Sequence, residues 1–70
     1  MKNIIYNFYF AEVVTGEEFL VAARTQNSAF GRAKQICAEI AANYGNERYA
    51  CAYRGKVSDY EAEMMGLDEY

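Results

Sequence analysis

The first part of the chain has the apolar pattern of a β-hairpin. Residues 3–14 are rich in β-branched and aromatic side chains, which favour a strand. Thr15-Gly16-Glu17 follows as a tight turn, because glycine readily adopts the positive φ that such turns need. Residues 18–24 are again mostly apolar, and they are predicted to return as the second strand.

The next segment repeats its apolar residues with helical spacing. Asn27 or Ser28 suits the start of this helix, because either side chain can accept a hydrogen bond from a free backbone N–H of the first turn. Gly45 suits the left-handed position beyond the helix end. The helix is predicted to bury one stripe of residues, formed by Phe30, Ala33, Ile36, Cys37, Ile40, Ala41 and Tyr44.

Two shorter elements are predicted to complete the chain. Residues 48–54 alternate large and small side chains, which predicts a third strand that ends at Gly55. Ser58 and Glu61 have the spacing of a capping box, which predicts a second helix. This helix should run to about Met65 and stop at Gly66.

The order of these elements predicts a single α+β domain of type ββαβα. A right-handed connection through the main helix places the third strand beside the first. The result is a three-stranded antiparallel sheet of order 2-1-3, with one main helix across one face and a short C-terminal helix. The alternative sets the third strand parallel to the second at the opposite edge, and the handedness rule favours the first arrangement.

The first strand is apolar on both of its faces. Phe8 and Phe10 point to one face and Tyr9 points to the other, because side chains alternate along a strand. One helix covers only one face, so the other should form an exposed apolar surface, typical of a protein-binding site or a homodimer contact. Alternatively, the second helix folds beneath the sheet and closes this face. The apolar residues that it would use are Met64, Met65 and Leu67.

Charge is distributed unevenly along the chain. The formal net charge is −3, yet every Lys and Arg lies at or before Lys56, and residues 57–70 contain five acidic residues and no basic one. Such an acidic end can be a solubilising tail, or it can bind a basic surface of a partner protein. The predicted interface combines tyrosines of the sheet with acids of this end. Its candidate residues are Tyr9, Tyr49, Tyr53, Glu61, Glu63, Asp68 and Glu69.

The residue types argue against catalysis. The chain has no histidine, the side chain best suited to proton transfer near neutral pH, and no Cys-x-x-Cys pair for a metal. Cys37 falls on the apolar stripe of the main helix and Cys51 lies within the third strand. Both are therefore interpreted as inert buried thiols. We expect a protein that is not an enzyme and that holds no cofactor and no metal ion.

The composition indicates a soluble, cytoplasmic protein. Apolar residues make up 53% of the 70 residues, and 11 of them are Phe or Tyr, which excludes disorder for most of the chain. No apolar run approaches the roughly 18 residues of a membrane-spanning helix. No signal segment precedes the first strand, and two cysteines alone do not form a disulfide framework. We therefore expect no membrane partner.

A nucleic-acid-binding module is the alternative function. Aromatic side chains on an open antiparallel sheet can stack on bases, and Arg48, Arg54 and Lys56 could contact phosphates. However, the basic residues are scattered along the chain and the net charge opposes phosphate binding. The sequence thus favours a protein partner or self-association over nucleic acid.

The end of the chain carries a resemblance. The segment from Tyr53 to Tyr70, most specifically Val57 to Tyr70, resembles the ending of small uncharacterised proteins carried by phages and conjugative elements of gut bacteria. The preceding hairpin and helix are similar in kind. Accessory genes of such elements often encode compact, acidic inhibitors of host defence proteins, anti-CRISPR proteins among them. The resemblance therefore implies a protein-binding inhibitor, and it assigns no role to individual residues.

Overall fold

The computed structural model describes residues 4–70, and it has the predicted order of elements. Residue 3, the start of the predicted first strand, lies outside the described residues. The observed elements are strand β1 (Tyr6–Glu12), strand β2 (Glu17–Ala23), helix α1 (Gln26–Asn43), strand β3 (Cys51–Val57) and helix α2 (Asp59–Met65).

The three strands form one sheet of order β2-β1-β3. β1 pairs antiparallel with β2 on one side, where Phe10 lies opposite Phe19. It pairs antiparallel with β3 on the other side, where Phe10 lies opposite Tyr53. The predicted α+β topology is thus confirmed, and the parallel alternative does not occur.

Helix α1 begins earlier than the sequence predicted. Its N-cap is Thr25, which has an extended backbone and a hydroxyl that accepts a hydrogen bond from the N–H of Ser28 at 3.1 Å. Asn27 and Ser28 therefore lie in the first turn instead of capping it. At the other end Tyr44 is exposed rather than part of the buried stripe.

The hydrophobic core lies between α1 and one face of the sheet. Phe10 lies at its centre and is fully buried. Its ring stacks on Phe19 with centroids 5.8 Å apart, and it meets Phe30 of α1 edge-on at 5.4 Å. The buried residues of this core are Phe8, Phe10, Phe19, Val21, Ala23, Ala29, Ala33, Ile36, Cys37 and Ile40.

Strand β3 is displaced along the chain from its predicted position at residues 48–54. Gly55 does not end the strand but lies within it, with a φ of 127°. The pairing shifts at this point, since Tyr9 faces Gly55 whereas Phe10 faces Tyr53. Arg54 is therefore the extra residue of a β-bulge. Because of the bulge, Tyr53 and Lys56 point to the same face although three positions separate them.

Helix α2 has the predicted boundaries. The Ser58 hydroxyl accepts from the N–H of Glu61 at 3.1 Å, and the Glu61 carboxylate accepts from the N–H of Ser58, so the capping box is confirmed. Gly66 follows the helix with a φ of 64°, which is the left-handed conformation expected of a helix stop.

The residues after α2 pair with the outer edge of β2 through an isolated β-bridge that the sequence did not predict. The N–H of Leu20 donates to the carbonyl of Asp68 at 2.9 Å, and the N–H of Ala22 donates to that of Tyr70 at 2.8 Å. The N–H of Tyr70 in turn donates to the carbonyl of Leu20. This pairing runs parallel to β2 and covers its outer edge, which would otherwise present unpaired backbone groups.

Candidate functional site

The sheet face opposite α1 is covered over its middle by α2 and by the residues that follow it. Leu20 points to this face and is only 1% exposed. Asn7 on the same face is also buried, and its side-chain amide donates to the Asp59 carboxylate at 2.6 Å. The predicted open apolar face is therefore wrong for the middle of the sheet. Exposed apolar side chains remain beyond the two ends of β1, at Ile5 and Val13.

Helix α2 does not bury the two methionines that the sequence analysis expected it to place beneath the sheet. Leu67 is half-buried, but Met64 is 70% exposed and Met65 is also exposed. Tyr60 is 71% exposed. Tyr60 and Met64 are four residues apart and thus adjacent on one side of the helix, away from the sheet. The helix therefore presents a tyrosine and a methionine to solvent.

Acidic residues flank this apolar pair along the helix and follow it in the chain. We use the name α2 surface for Tyr60, Met64 and the five acidic residues of this end of the chain. All five acids are exposed, and they are Asp59, Glu61, Glu63, Asp68 and Glu69. Asp59, Glu63 and Glu69 also line a shallow depression of about 250 Å³ between α2 and the sheet. Of the predicted interface, Glu63 and Glu69 thus meet at this depression, and Glu61 lies on the same helix.

Tyr9 lies on the α2 side of the sheet and is half-buried. Its hydroxyl donates a hydrogen bond to the Glu18 carboxylate of the neighbouring strand. This hydrogen bond raises the pKa of Tyr9, as do burial and the charge of Glu18, while the charge of Arg54 opposes the rise. The hydroxyl is therefore engaged within the domain.

The other two predicted tyrosines lie elsewhere. Tyr53 points to the α1 side, where its ring centroid is 5.1 Å from that of Phe30 and 5.4 Å from that of Phe10. It therefore does not share a surface with Tyr9, because the register set by the bulge turns it into the core cluster. Tyr49 is exposed in the loop that precedes β3, at the opposite end of this strand from α2.

The residues expected to bind nucleic acid are also separated. Lys56 lies over the ring of Tyr6 on the α1 side, with its ammonium 4.3 Å from the ring centroid. Arg54 is exposed at the bulge, and its charge lowers the pKa of Tyr9 on the other side of the sheet. Arg48 is exposed in the loop before β3. The structure thus does not combine these three cations on one aromatic face.

The two cysteines, Cys37 of α1 and Cys51 of β3, are free thiols. Burial raises the pKa of the Cys37 thiol to about 12, with further contributions from Cys51 and from the charge of Glu12. Cys51 is half-buried, so the interpretation of two buried thiols holds for Cys37 only.

Glu12 is a buried carboxylate that the sequence did not single out. It accepts hydrogen bonds from the backbone N–H groups of Thr15 at 2.7 Å, Ala50 at 2.8 Å and Val14 at 3.2 Å. Burial raises the pKa of this carboxyl, but the three N–H groups, together with the Thr15 side chain, outweigh burial and lower it overall. Glu12 thus joins the hairpin turn to the loop before β3, which is a structural role.

Neither a metal cluster nor a membrane-spanning helix occurs among residues 4–70. No three His, Cys, Asp or Glu side chains of this range lie close enough together to hold a metal ion. No helix in the same range combines the length and the apolar character needed to cross a bilayer.

Comparison with known proteins gives no match, either to a family model, to a curated protein or to a solved structure. What the α2 surface can bind therefore follows from its own chemistry. The sequence analysis did not identify Tyr60 and Met64 as an exposed pair. Their spacing of four residues, with acids at positions 61 and 63 between them, was the signal for it.

Proposed function

We propose that this chain is a small non-enzymatic protein-binding module that uses its α2 surface. The observation that carries the proposal is the exposure of Tyr60 and Met64 side by side on a helix that also carries the exposed acids Asp59, Glu61 and Glu63. Tyrosine and methionine are enriched at protein interfaces relative to the rest of protein surfaces. Full burial of one such side chain contributes about 1.5–3 kcal/mol, so the pair can anchor a complex.

The α2 surface is held in place before any partner binds. The capping box and Gly66 fix the two ends of the helix, and Asn7 holds its first turn against the sheet. The backbone pairing of residues 68–70 with β2 fixes the chain beyond it. Such preorganisation reduces the entropy lost on binding, which favours a recognition helix even when it is short.

The charge of the α2 surface indicates what kind of partner it fits. An apolar pair flanked on the helix by the carboxylates of Glu61 and Glu63 complements a groove that is apolar at its centre and lined with Lys or Arg. A second copy of this chain is a poor partner, because a two-fold interface sets the same surface against itself and brings like charges together. The proposed partner is therefore a different protein with a basic surface.

The resemblance of the segment from Val57 to Tyr70 supports a more specific proposal. This segment forms the whole α2 surface, so the most specific part of the resemblance and the proposed contact coincide. We infer that the module acts as an inhibitor of a host defence protein, of the kind that phages and mobile elements encode. In that role the acidic helix occupies a basic surface that the defence protein needs for its own function.

Site-specific photo-crosslinking in the cells that produce the protein tests this proposal. A benzophenone amino acid at position 64 should capture a specific protein. The same group at position 44 serves as the control, because Tyr44 is similarly exposed, at 61%, but lies at the end of α1. Equal capture of the same protein from both positions would contradict the proposal.

Two matched pairs of variants then test binding to the captured protein after purification. The double substitution Y60S/M64S should weaken binding at least tenfold, whereas Y44S should not. The double substitution E61Q/E63Q should slow association and reduce its dependence on salt. Its control is E39Q/E47Q, which removes two exposed acids outside the α2 surface. Gln at position 61 can keep the capping box, so the helix itself is preserved.

A further inference from the structure

A second cleft lies on the other side of the sheet, away from the α2 surface. It has a volume of about 230 Å³ and opens where β1 begins and where β2 ends. Its wall contains aromatic rings together with two cations. The lining residues are Tyr6, Phe8, Arg24, Gln26, Tyr53 and Lys56.

The two cations reach this cleft from different parts of the fold. Arg24 follows β2 directly and precedes the N-cap of α1. Lys56 reaches the cleft from β3, where its ammonium lies 4.3 Å from the centroid of the Tyr6 ring. Lys56 and Tyr53 both face the cleft because the bulge at Arg54 removes one step of the alternation along β3. Without the bulge, one of the two would point to the α2 side.

The electrostatics of the cleft differ from those of the chain as a whole. The chain is acidic overall, yet none of the described residues that line the cleft is acidic. The first turn of α1, which starts at Gln26, also contains no acidic residue. The positive end of the α1 dipole is therefore not neutralised by its own side chains, and it adds to the charges of Arg24 and Lys56.

We propose that this cleft binds a small phosphate monoester that carries a planar ring. The guanidinium of Arg24 and the ammonium of Lys56 would contact the phosphate, since both groups donate charge-assisted hydrogen bonds to phosphate oxygens. Lys56 already occupies a face of Tyr6, so the ring of the ligand packs against Tyr53. The cleft is smaller than the roughly 300–1,000 Å³ of drug-sized sites, so it holds one phosphate and one aromatic ring system and leaves the rest of a ligand in solvent.

The aromatic wall of the cleft is continuous with the core and therefore rigid. Phe8 lies 6.2 Å from Tyr6 and 6.4 Å from Tyr53 between ring centroids, and Phe8 itself is buried. Tyr53 is held in turn by Phe10 and Phe30. A wall fixed by core packing needs little reorganisation to accept a ligand. The cleft shares no lining residue with the α2 surface, so this site is independent of the proposed function.

Nuclear magnetic resonance titration of the ¹⁵N-labelled chain tests the site. The probes are adenosine 5′-monophosphate and O-phosphotyrosine, which distinguish a nucleotide from a phosphorylated aromatic residue. Either one should give saturable shifts at the amides of Tyr6, Arg24 and Gln26. Adenosine and inorganic phosphate should each bind at least tenfold more weakly than the better of the two probes.

Charge-matched variants separate a site from a general electrostatic effect. R24Q and K56Q should each weaken binding about tenfold, since each removes one charge-assisted contact to the phosphate. The controls R48Q and K34Q remove exposed cations outside the cleft, and they should change affinity by less than about twofold at physiological salt, where distant charges are screened. Equal losses in all four variants, equal affinity for inorganic phosphate, or the absence of saturable binding would overturn the proposal.

Discussion

The side-chain amide of Asn7 donates a 2.6 Å hydrogen bond to the carboxylate of Asp59 and so joins the middle strand of the sheet to the first turn of α2. Asn7 is the one amide among the apolar residues of β1, and it is buried. Asp59 also lies where the helix dipole favours a negative charge. The contact joins residues 52 positions apart and links α2, and with it the α2 surface, to the sheet.

Replacing Asn7 with Ala should detach α2 from the sheet more readily. The free energy of unfolding should fall by about 2 kcal/mol, because a hydrogen bond to a charged group is lost from a buried side chain. The measurements are urea denaturation and hydrogen exchange of the α2 amides. Asn27→Ala, an exposed substitution in the first turn of α1, is the control. Unchanged exchange in α2 of the Asn7 variant would show that the contact does not hold the helix.

Deleting residues 68–70 should expose the outer edge of β2. The three backbone hydrogen bonds to Leu20 and Ala22 are lost, and each is worth about 1 kcal/mol. The Tyr70 ring, which meets Phe19 edge-on at 5.8 Å, is lost with them. The amides of Leu20 and Ala22 should exchange faster than that of Phe10, and the shortened chain should aggregate more readily because an exposed strand edge pairs with other chains.

Tyr70→Ala distinguishes the backbone pairing of residues 68–70 with β2 from the packing of the Tyr70 ring on Phe19. It keeps the backbone of residues 68–70 but removes the ring, so it should leave the amides of Leu20 and Ala22 protected. If it accelerates their exchange as much as the deletion does, the ring and not the backbone pairing fixes this segment.

Local sequence signals were enough to predict the element types and the topology. The Ser58 and Glu61 pair marks its helix start because a capping box is satisfied within four residues. Gly66 marks the stop because only glycine takes a positive φ without strain. The order β2-β1-β3 follows from the handedness of one connection. None of these predictions required knowledge of distant contacts.

The features that the sequence could not predict depend on residues far apart in the chain. The parallel pairing of Glu69 with Leu20 spans most of the chain, and no local pattern encodes it. The bulge at Arg54 shifts the register of β3, and Tyr53 then faces α1. The alternation of side chains along a regular strand does not reveal such a bulge, so the sequence could not predict this orientation. Of the predicted interface, Glu63 and Glu69 share one depression, whereas Tyr53 and Tyr9 lie on opposite faces of the sheet.

The packing of Tyr53 into the core cluster predicts that its loss lowers stability. Tyr53→Ala should lower the free energy of unfolding by about 3 kcal/mol, because it removes a ring packed against Phe8, Phe10 and Phe30. Tyr49→Ala, in the exposed loop, should change it by less than about 0.5 kcal/mol. Thermal and urea unfolding measure both. Equal effects of the two substitutions would contradict the observed register of β3.

The two thiols should differ in reactivity. Alkylation needs the thiolate, and a pKa of about 12 leaves almost none of it at Cys37 near pH 8. Iodoacetamide should therefore modify the half-buried Cys51 in the native protein and reach Cys37 only after unfolding, as followed by mass spectrometry. The variant C51A isolates Cys37, which burial should still protect. Rapid native alkylation of this variant would show that Cys37 is accessible.

Glu12 should make stability depend on pH in the acidic range. Its pKa is lowered in the folded state, so its ionised form stabilises the fold fully above the unfolded pKa of about 4.3. That contribution is lost as the pH falls through the unfolded and then the folded pKa. Glu12→Gln keeps the shape of the side chain but places its NH₂ group, a donor, against the N–H of either Thr15 or Ala50. The loss of this hydrogen bond should lower the free energy of unfolding by about 2 kcal/mol at pH 7.

The pH dependence of this variant separates ionisation from packing. The difference in unfolding free energy between the wild type and Glu12→Gln should shrink as the pH falls from about 5 to about 3, because protonated Glu12 resembles Gln in charge. Glu39→Gln, on the exposed side of α1, should show no such convergence. A constant difference across this range would mean that the three N–H groups bind the neutral carboxyl as well as the carboxylate. The lowered pKa of Glu12 would then be wrong.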